Sequence, residues 1–264
     1  MYNDKVRAKK SLGQHFLRDQ NIARKIVEAF QASTNKALEI GPGMGVLTQY
    51  LVTREQLELK VVEIDRDSVA YLKTHYPHLT ASIIEGDFLE LNLEEVFGEK
   101  FSIIGNFPYN ISSQIFFHIL QHRNTVDEVV CMLQKEVADR IASSYGNKTY
   151  GILSVLLQTF YKIKHCLKVS PGVFSPPPKV MSAVIRLERN DRDKLPCSEA
   201  LFFQVVKQGF NNRRKTLRNA LKNLNLTANV SALSTLDKRA EQLSVEDFIE
   251  LTRIIEDSRA GTSS

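Results

Sequence analysis

From residue 36 onward the chain alternates short apolar runs with stretches of helical periodicity, and that alternation leaves few folds open. Residues 37–40 predict a strand, and the glycine-rich turn Gly41-Pro42-Gly43-Met44-Gly45 leads into a helix bearing Val46, Leu47, Tyr50 and Leu51. Further strands are expected at 59–64, 81–84, 101–105 and 126–133. Helices are expected at 68–76, around Ile115, Phe116, Ile119 and Leu120, and at 135–144. Upstream, Asp19 is placed to cap a helix whose apolar positions are Ile22, Ile26, Val27 and Phe30. Strands alternating with helices imply a parallel sheet covered on both faces. The pattern then changes. Tyr161, Ile163, His165, Leu167 and Val169 alternate, as do Ala183, Ile185 and Leu187, and the proline-rich Ser175-Pro176-Pro177-Pro178 lies between the two runs. These predict a closing antiparallel pair. Beyond Asp191 only helical periodicity remains, in Phe202, Val205, Val206 and Phe210 and later in Phe248, Leu251 and Ile254. The expectation is an α/β domain over residues 1–190, carrying a basic N-terminal arm, and a small all-helical domain over 191–264.

No apolar run approaches the roughly 20 residues needed to cross a bilayer, so no membrane association is expected. The opening ten residues are basic but lack the apolar stretch of a signal peptide. Cys131, Cys166 and Cys197 stand far apart, which fits a reducing cytoplasm and neither a disulfide scaffold nor a zinc module. The formal charge of +5 is unevenly spread: residues 36–100 hold 12 acids against 6 bases, whereas residues 200–236 hold no acid at all. An acidic block flanked by basic ends suggests a small-ligand site framed by surfaces that bind a polyanion.

Four successive strand ends carry residues suited to ligand chemistry. Glycines between the first strand and its helix let backbone approach a ligand closely, at the carboxyl edge where open α/β sheets bind. A dinucleotide fingerprint would require glycine where Val46 stands, so a nicotinamide cofactor is disfavoured. Glu63, at the end of the second strand, suits a ribose with both hydroxyls free. After the third strand, the Asp87 carboxylate in Gly86-Asp87-Phe88 can accept from an adenine amino group. The fourth strand ends in Gly105-Asn106-Phe107-Pro108-Tyr109-Asn110. Pro108 fixes its own φ and holds Phe107 extended, which can aim the Phe107 carbonyl and the Asn106 side-chain oxygen at one point. Two acceptors converging on an amine are what methylation of an exocyclic nitrogen needs. They localise a lone pair otherwise delocalised into the ring and stabilise the charge that develops on it. Tyr109 is placed to stack on the base. His118 and His122 lie four apart on one helix, but no third ligand accompanies them and no metal is expected.

With these motifs in hand, the chain resembles the S-adenosylmethionine (AdoMet)-dependent rRNA adenine N6-methyltransferases. Leu12-Gly13-Gln14-His15-Phe16-Leu17, Leu133-Gln134-Lys135-Glu136, Phe174-Ser175-Pro176-Pro177-Pro178-Lys179-Val180 and Phe210-Asn211-Asn212-Arg213-Arg214-Lys215-Thr216-Leu217 narrow this likeness. They are similar to the bacterial 16S rRNA dimethyladenosine transferases over roughly residues 9–255. The resemblance implies a Rossmann-like AdoMet-binding sheet, mostly parallel, with a small helical RNA-binding domain. It implies a cytoplasmic monomer that dimethylates two adjacent adenosines in the 3′-terminal hairpin loop of 16S rRNA, within the immature 30S subunit, without a metal. His15 and Leu17 would close over the methionine end of AdoMet beside Gly41. Glu63 would hold the ribose, Asp87 the adenine, and Asn106 would bridge AdoMet and the target amine. Phe174 would clamp the extruded base opposite Tyr109. The family's Asn-Leu-Pro-Tyr is here Asn106-Phe107-Pro108-Tyr109, a change of little consequence if position 107 acts through its carbonyl. Arg213, Arg214, Lys215 and Arg218, with Lys207 and Lys222, suit phosphate contacts. The related macrolide-resistance methyltransferases of large-subunit rRNA share the catalytic motifs, but the segment from Phe210 to Arg218 argues for the small subunit. A ribosome-assembly factor in which catalysis is secondary is the alternative from another class.

Overall fold

The structure is a computed structural model and describes residues 6–31 and 34–260; the first five residues of the basic arm lie outside these. Two compact units result. One holds the described residues up to Ala138 together with Lys162–Arg189, the other Asp139–Tyr161 together with the described residues from Asn190 onward. Residues 139–161, expected in the first domain, therefore belong with the helical part of the chain.

The first unit opens on a short strand, β1 (Phe16–Leu17), and the helix α1 (Gln20–Ala29). Asp19 caps α1 as expected, its carboxylate accepting from the backbone N–H groups of Asn21 (2.8 Å) and Ile22 (3.0 Å). There follow β2 (Lys36–Ile40), α2 (Thr48–Leu51), β3 (Glu58–Glu63), α3 (Arg66–His75) and β4 (Ile83–Glu85). After these come α4 (Leu93–Phe97), β5 (Phe101–Asn106), α5 (Ser112–Gln121), β6 (Val126–Gln134) and α6 (Lys135–Ile141). The third expected strand is shorter than its apolar run suggests, because residues 81 and 82 close a 3-10 turn that begins at Pro77. Seven strands run in the order β4-β3-β2-β5-β6-β9-β7, with β7 (Tyr161–Val169) and β9 (Ser182–Arg189) at one side. All pairs from β4 to β6 are parallel, and β9 runs antiparallel to β6. The chain leaves β2 to one side through β3 and β4, then returns to pair β5 on its other side. That reversal is where an α/β sheet opens a crevice at its carboxyl ends.

Burial follows from this arrangement. Ala37, Val61, Ile104, Val130 and Val184 point to one face and pack with Ala23, Ile26, Leu47, Leu51 and Leu72 from the helices. Their chain neighbours Leu38, Ile103, Val129 and Ile185 are buried too. A parallel sheet covered on both faces shows such continuous apolar runs rather than alternation. A second, two-stranded sheet joins β1 to β8 (Phe174–Ser175), pairing Leu17 with Phe174.

In the second unit α7 (Ile152–Phe160) packs against α8 (Glu199–Asn211) and α11 (Val245–Ala260), with α9 (Leu217–Ala220) and α10 (Ala228–Ser231) completing the group. Phe210 lies between Tyr150 and Phe248, at ring-centroid distances of 5.9 Å from each. No strand lies beyond Arg189 among the described residues, in line with the helical periodicity of that part of the chain.

Candidate functional site

At the topological reversal, Ile40 of β2 lies opposite Gly105 of β5, so the glycine turn after one strand and Asn106 at the end of the other are brought side by side. Gly105 is needed for that approach: a Cβ there would stand 2.6 Å from the Ile40 carbonyl oxygen. Gly41 adopts φ +63°, a conformation other residues rarely take, and nothing lies within 4 Å of where its Cβ would be. That open side faces a cavity of about 250 Å3.

Eight of the expected site residues line this cavity: His15, Gly41, Glu63, Asp87, Asn106, Phe107, Pro108 and Tyr109. The Glu63 carboxylate is almost fully buried and accepts from the backbone N–H of Gly43 (3.0 Å) and of Asp65 (2.9 Å), so it is rigidly aimed. Burial pushes its carboxyl above the usual range, against those hydrogen bonds. Behind it, Glu39 is fully enclosed, accepts from the Thr48 hydroxyl (2.7 Å), and is pushed up by burial to about 8. Asp87 uses one oxygen to cap the turn at Phe88, accepting from the Leu89 N–H (2.9 Å), while its residue faces the cavity.

Asn106 is the most informative residue. Its Nδ2 donates to the His15 carbonyl oxygen (2.9 Å), which fixes the amide's orientation. Its Oδ1 is buried and accepts from no donor among the described residues. Buried acceptors are normally satisfied, so an aimed, unpartnered one in a cavity wall is a candidate binding feature. The next N–H, that of Phe107, donates to the Met132 carbonyl oxygen (2.9 Å) and continues the sheet, while the Phe107 ring packs 5.7 Å from Phe116. The side chain at 107 is therefore core, and leucine would occupy the same space. Tyr109 bonds the Ser182 hydroxyl, and its ring lies 5.3 Å from that of His15. Burial raises its phenol above the ordinary value, so it stays neutral.

Two expected site residues sit elsewhere. Leu17 and Phe174 are each 4% exposed and belong to the hydrophobic cluster beneath the sheet face. Leu17 borders a small neighbouring recess with Glu39, Gly41 and Asn106. Phe174 lines neither space; it is paired with Leu17 across the short sheet and buried in that cluster.

The arm is held by contacts that leave no pattern in the sequence. Residues 11–16 roof the cavity, and Lys9 ties the segment down by ion pairs to Asp65 and Asp67, the latter at 2.7 Å. Gln14 donates to the other Asp65 oxygen (3.0 Å). Burial would raise the Asp65 carboxyl, but the bonds from Lys9, Gln14 and the Asp67 N–H outweigh it and hold it low. Ile64, half exposed beside Glu63, and Phe88 add apolar walls suited to a flat ring. An apolar residue directly after a strand-end acid was the available signal, and it was absorbed into the expected strand 59–64. His118 and His122 bond the carbonyl oxygens of Leu91 and His118, and no cluster of metal-ligating side chains occurs among the described residues.

In the second unit the basic segment divides. Arg213 bonds Glu241 (3.0 Å) and backbone carbonyls at Lys148 and Tyr150. Arg218 bonds Asp237 (2.8 Å) and carbonyls at Ser231 and Leu233. Both arginines, expected as phosphate contacts, fasten loops together. Arg214, Lys215 and Lys222 remain exposed and without ion pairs among the described residues.

Residues 5–257 match the family model described as ribosomal RNA adenine dimethylase. A "Ribosomal RNA small subunit methyltransferase A" of Cytophaga hutchinsonii is 56% identical over 96% of this chain and 98% of its own length. The protein of the same name from Bacteroides thetaiotaomicron is 53% identical over 96% of each. Among solved structures, a dimethyladenosine transferase from Plasmodium falciparum aligns with a TM-score of 0.75 at 26% identity, covering 94% of this chain and 98% of that one. The 23S rRNA methyltransferase ErmE aligns with a TM-score of 0.63 at 25% identity, covering 90% of this chain and 99% of its own.

Proposed function

Because the chain belongs to the ribosomal RNA adenine dimethylase family, we propose that it converts two adjacent adenosines in the 3′-terminal hairpin loop of 16S rRNA to N6,N6-dimethyladenosine. AdoMet is the methyl donor, and the RNA is presented within the immature 30S subunit. The residues around the cavity fit that donor: an aimed carboxylate at Glu63 for the ribose hydroxyls, Asp87 and apolar walls for the adenine, and Gly41 leaving room for the methionine end. When bound, AdoMet supplies a methyl group on an already activated sulfonium. Three free cysteines support a reducing, cytoplasmic setting, and the reading requires no more than a monomer.

What the chain itself contributes is orientation and charge. The target base must leave its stack for the amine to line up with the methyl carbon. For the first transfer one amine N–H donates to Asn106 Oδ1 and the other to the Phe107 carbonyl oxygen, so the nitrogen pyramidalises and its lone pair turns toward the methyl. The methylated nitrogen then sheds a proton, and the second transfer proceeds with its one remaining N–H. The positive charge growing on that nitrogen is stabilised by the same two oxygens. Tyr109, neutral and held through Ser182, supplies the stacking face. Arg214, Lys215 and Lys222 supply exposed charge for phosphates.

The observation that carries this reading is the unfilled Asn106 Oδ1 in the wall beside Gly41. Asn106→Ala should lower methyl transfer to immature small-subunit particles by about a hundredfold or more, the scale found for lost transition-state contacts, while AdoMet binding survives. Full turnover by that variant defeats the assigned role. Transfer to naked large-subunit RNA in preference to 30S particles would instead place the chain with the macrolide-resistance enzymes. Full rescue of a deletion strain by the inactive variant would favour assembly as its main role.

A further inference from the structure

The arm that roofs the cavity has a second side. Beyond Phe16 it borders a groove of about 600 Å3, larger than the cavity itself, lined by Arg7, Phe16, Arg18, Met44, Tyr71 and the Ser175-Pro176 corner. Phe16 lines both spaces, and the Pro176 carbonyl oxygen bonds Nδ1 of His15, a cavity residue (2.8 Å). The groove therefore begins where the roof ends.

Its chemistry is one-sided. Arg7 and Arg18 are exposed, and neither guanidinium has a salt-bridge partner among the described residues, unlike Lys9 on the same arm, which is held by two aspartates. No acidic side chain lines the groove. Tyr71 is steadied by His75, whose ring stacks on it at 3.8 Å and 14°. Two planar cations suit a phosphodiester, and a fixed aromatic face suits an unstacked base. Together they describe one nucleotide of single-stranded RNA.

We propose that this groove holds the nucleotide next to the target adenosine, its phosphate between Arg7 and Arg18 and its base against Tyr71 and Phe16. The inference rests on the function proposed above and adds to it a site for the RNA chain outside the cavity. An enzyme that modifies two neighbouring bases must seat each while the other lies just outside, and the groove supplies that seat.

The test uses the full chain and immature 30S particles, with the particle affinity measured across a salt series. Single-strand contacts contribute about 0.7 to the log–log salt slope per neutralised phosphate. Arg7→Gln combined with Arg18→Gln should flatten the slope by about 0.7, the share of the one phosphate they hold, and weaken binding at low salt about tenfold, leaving the AdoMet affinity and Tm as in the wild type. Tyr71→Leu should weaken particle binding several-fold with the slope unchanged, since it removes stacking and no charge. The charge-matched control is Lys164→Gln with Lys168→Gln on the exposed side of β7, which should change neither. A wild-type slope and affinity in the double arginine variant overturns the proposal. So does an equal loss in the lysine control, which would reduce the effect to bulk charge. A wild-type chain that binds the particle with the full slope yet transfers no methyl group overturns the parent reading instead, while the slopes still judge the groove.

Discussion

Gly105→Ala is the substitution that most sharply probes how the fold sets up the chemistry. The added methyl would lie 2.6 Å from the Ile40 carbonyl oxygen, a backbone atom at the end of the neighbouring strand. Ordinary contact begins near 3.4 Å, so β2 and β5 must part by about 0.8 Å at their carboxyl ends. Overpacking of this kind costs about 2 kcal/mol, which for a protein of this size lowers Tm by about 4–8 °C. The larger effect falls on turnover. Gly41 follows Ile40 and Asn106 follows Gly105, so the gap opens between the two halves of the site, and a misplacement near 1 Å costs about a hundredfold in rate. Differential scanning calorimetry and single-turnover methylation of small-subunit particles separate the two. An alanine variant that keeps both wild-type Tm and wild-type turnover refutes the claim that strand spacing aims Asn106. A loss of Tm without loss of rate refutes its catalytic half.

Ser102, three residues earlier on the same strand, has a buried hydroxyl with no partner among the described residues; Ser102→Ala should raise stability by about 1 kcal/mol in denaturant titrations and leave turnover alone. Lys9→Met frees the roof from Asp65 and Asp67, so KM for AdoMet should rise about two- to fivefold with kcat nearly unchanged, and the difference should shrink in high salt. An unchanged KM at low salt would remove the latch from the account. Glu39 has its carboxyl raised to about 8 by burial, so between its ordinary value and pH 8 the folded chain holds a proton that the unfolded chain has lost. Its contribution favours folding at low pH and fades as pH rises toward 8. Glu39→Gln, which keeps an acceptor for Thr48, should flatten the decline of stability across that range by up to one proton, read from denaturation midpoints at several pH values.

The strand ends were legible because each is a local event: an apolar run stops, and glycine, glutamate, aspartate or asparagine follows. Parallel pairing then brings those ends together without further instruction. What escaped the sequence was set by partners distant in the chain. Helix α7 is buried on nearly every side, Ser154 and Thr159 included, so it lacks the one-sided apolar stripe that marks a surface helix, and residues 139–161 seemed part of the sheet domain. Two-residue strands such as β1 and β8 have no pattern of their own, and only their pairing turns Phe174 into the core. Arg213 and Arg218 stand in an acid-free run, and their partners Glu241 and Asp237 lie 28 and 19 residues away. The grip of Lys9 on Asp65 spans 56 residues and leaves no periodic trace.

The carboxamide at 106 is steered by a peptide oxygen of the roof itself. If the covering segment swings aside to exchange methyl donor for spent product, that restraint goes with it, and the amide regains its freedom to rotate. Opening would then disarm the molecule as well as uncover it, and competence would return only with the segment back over the cavity.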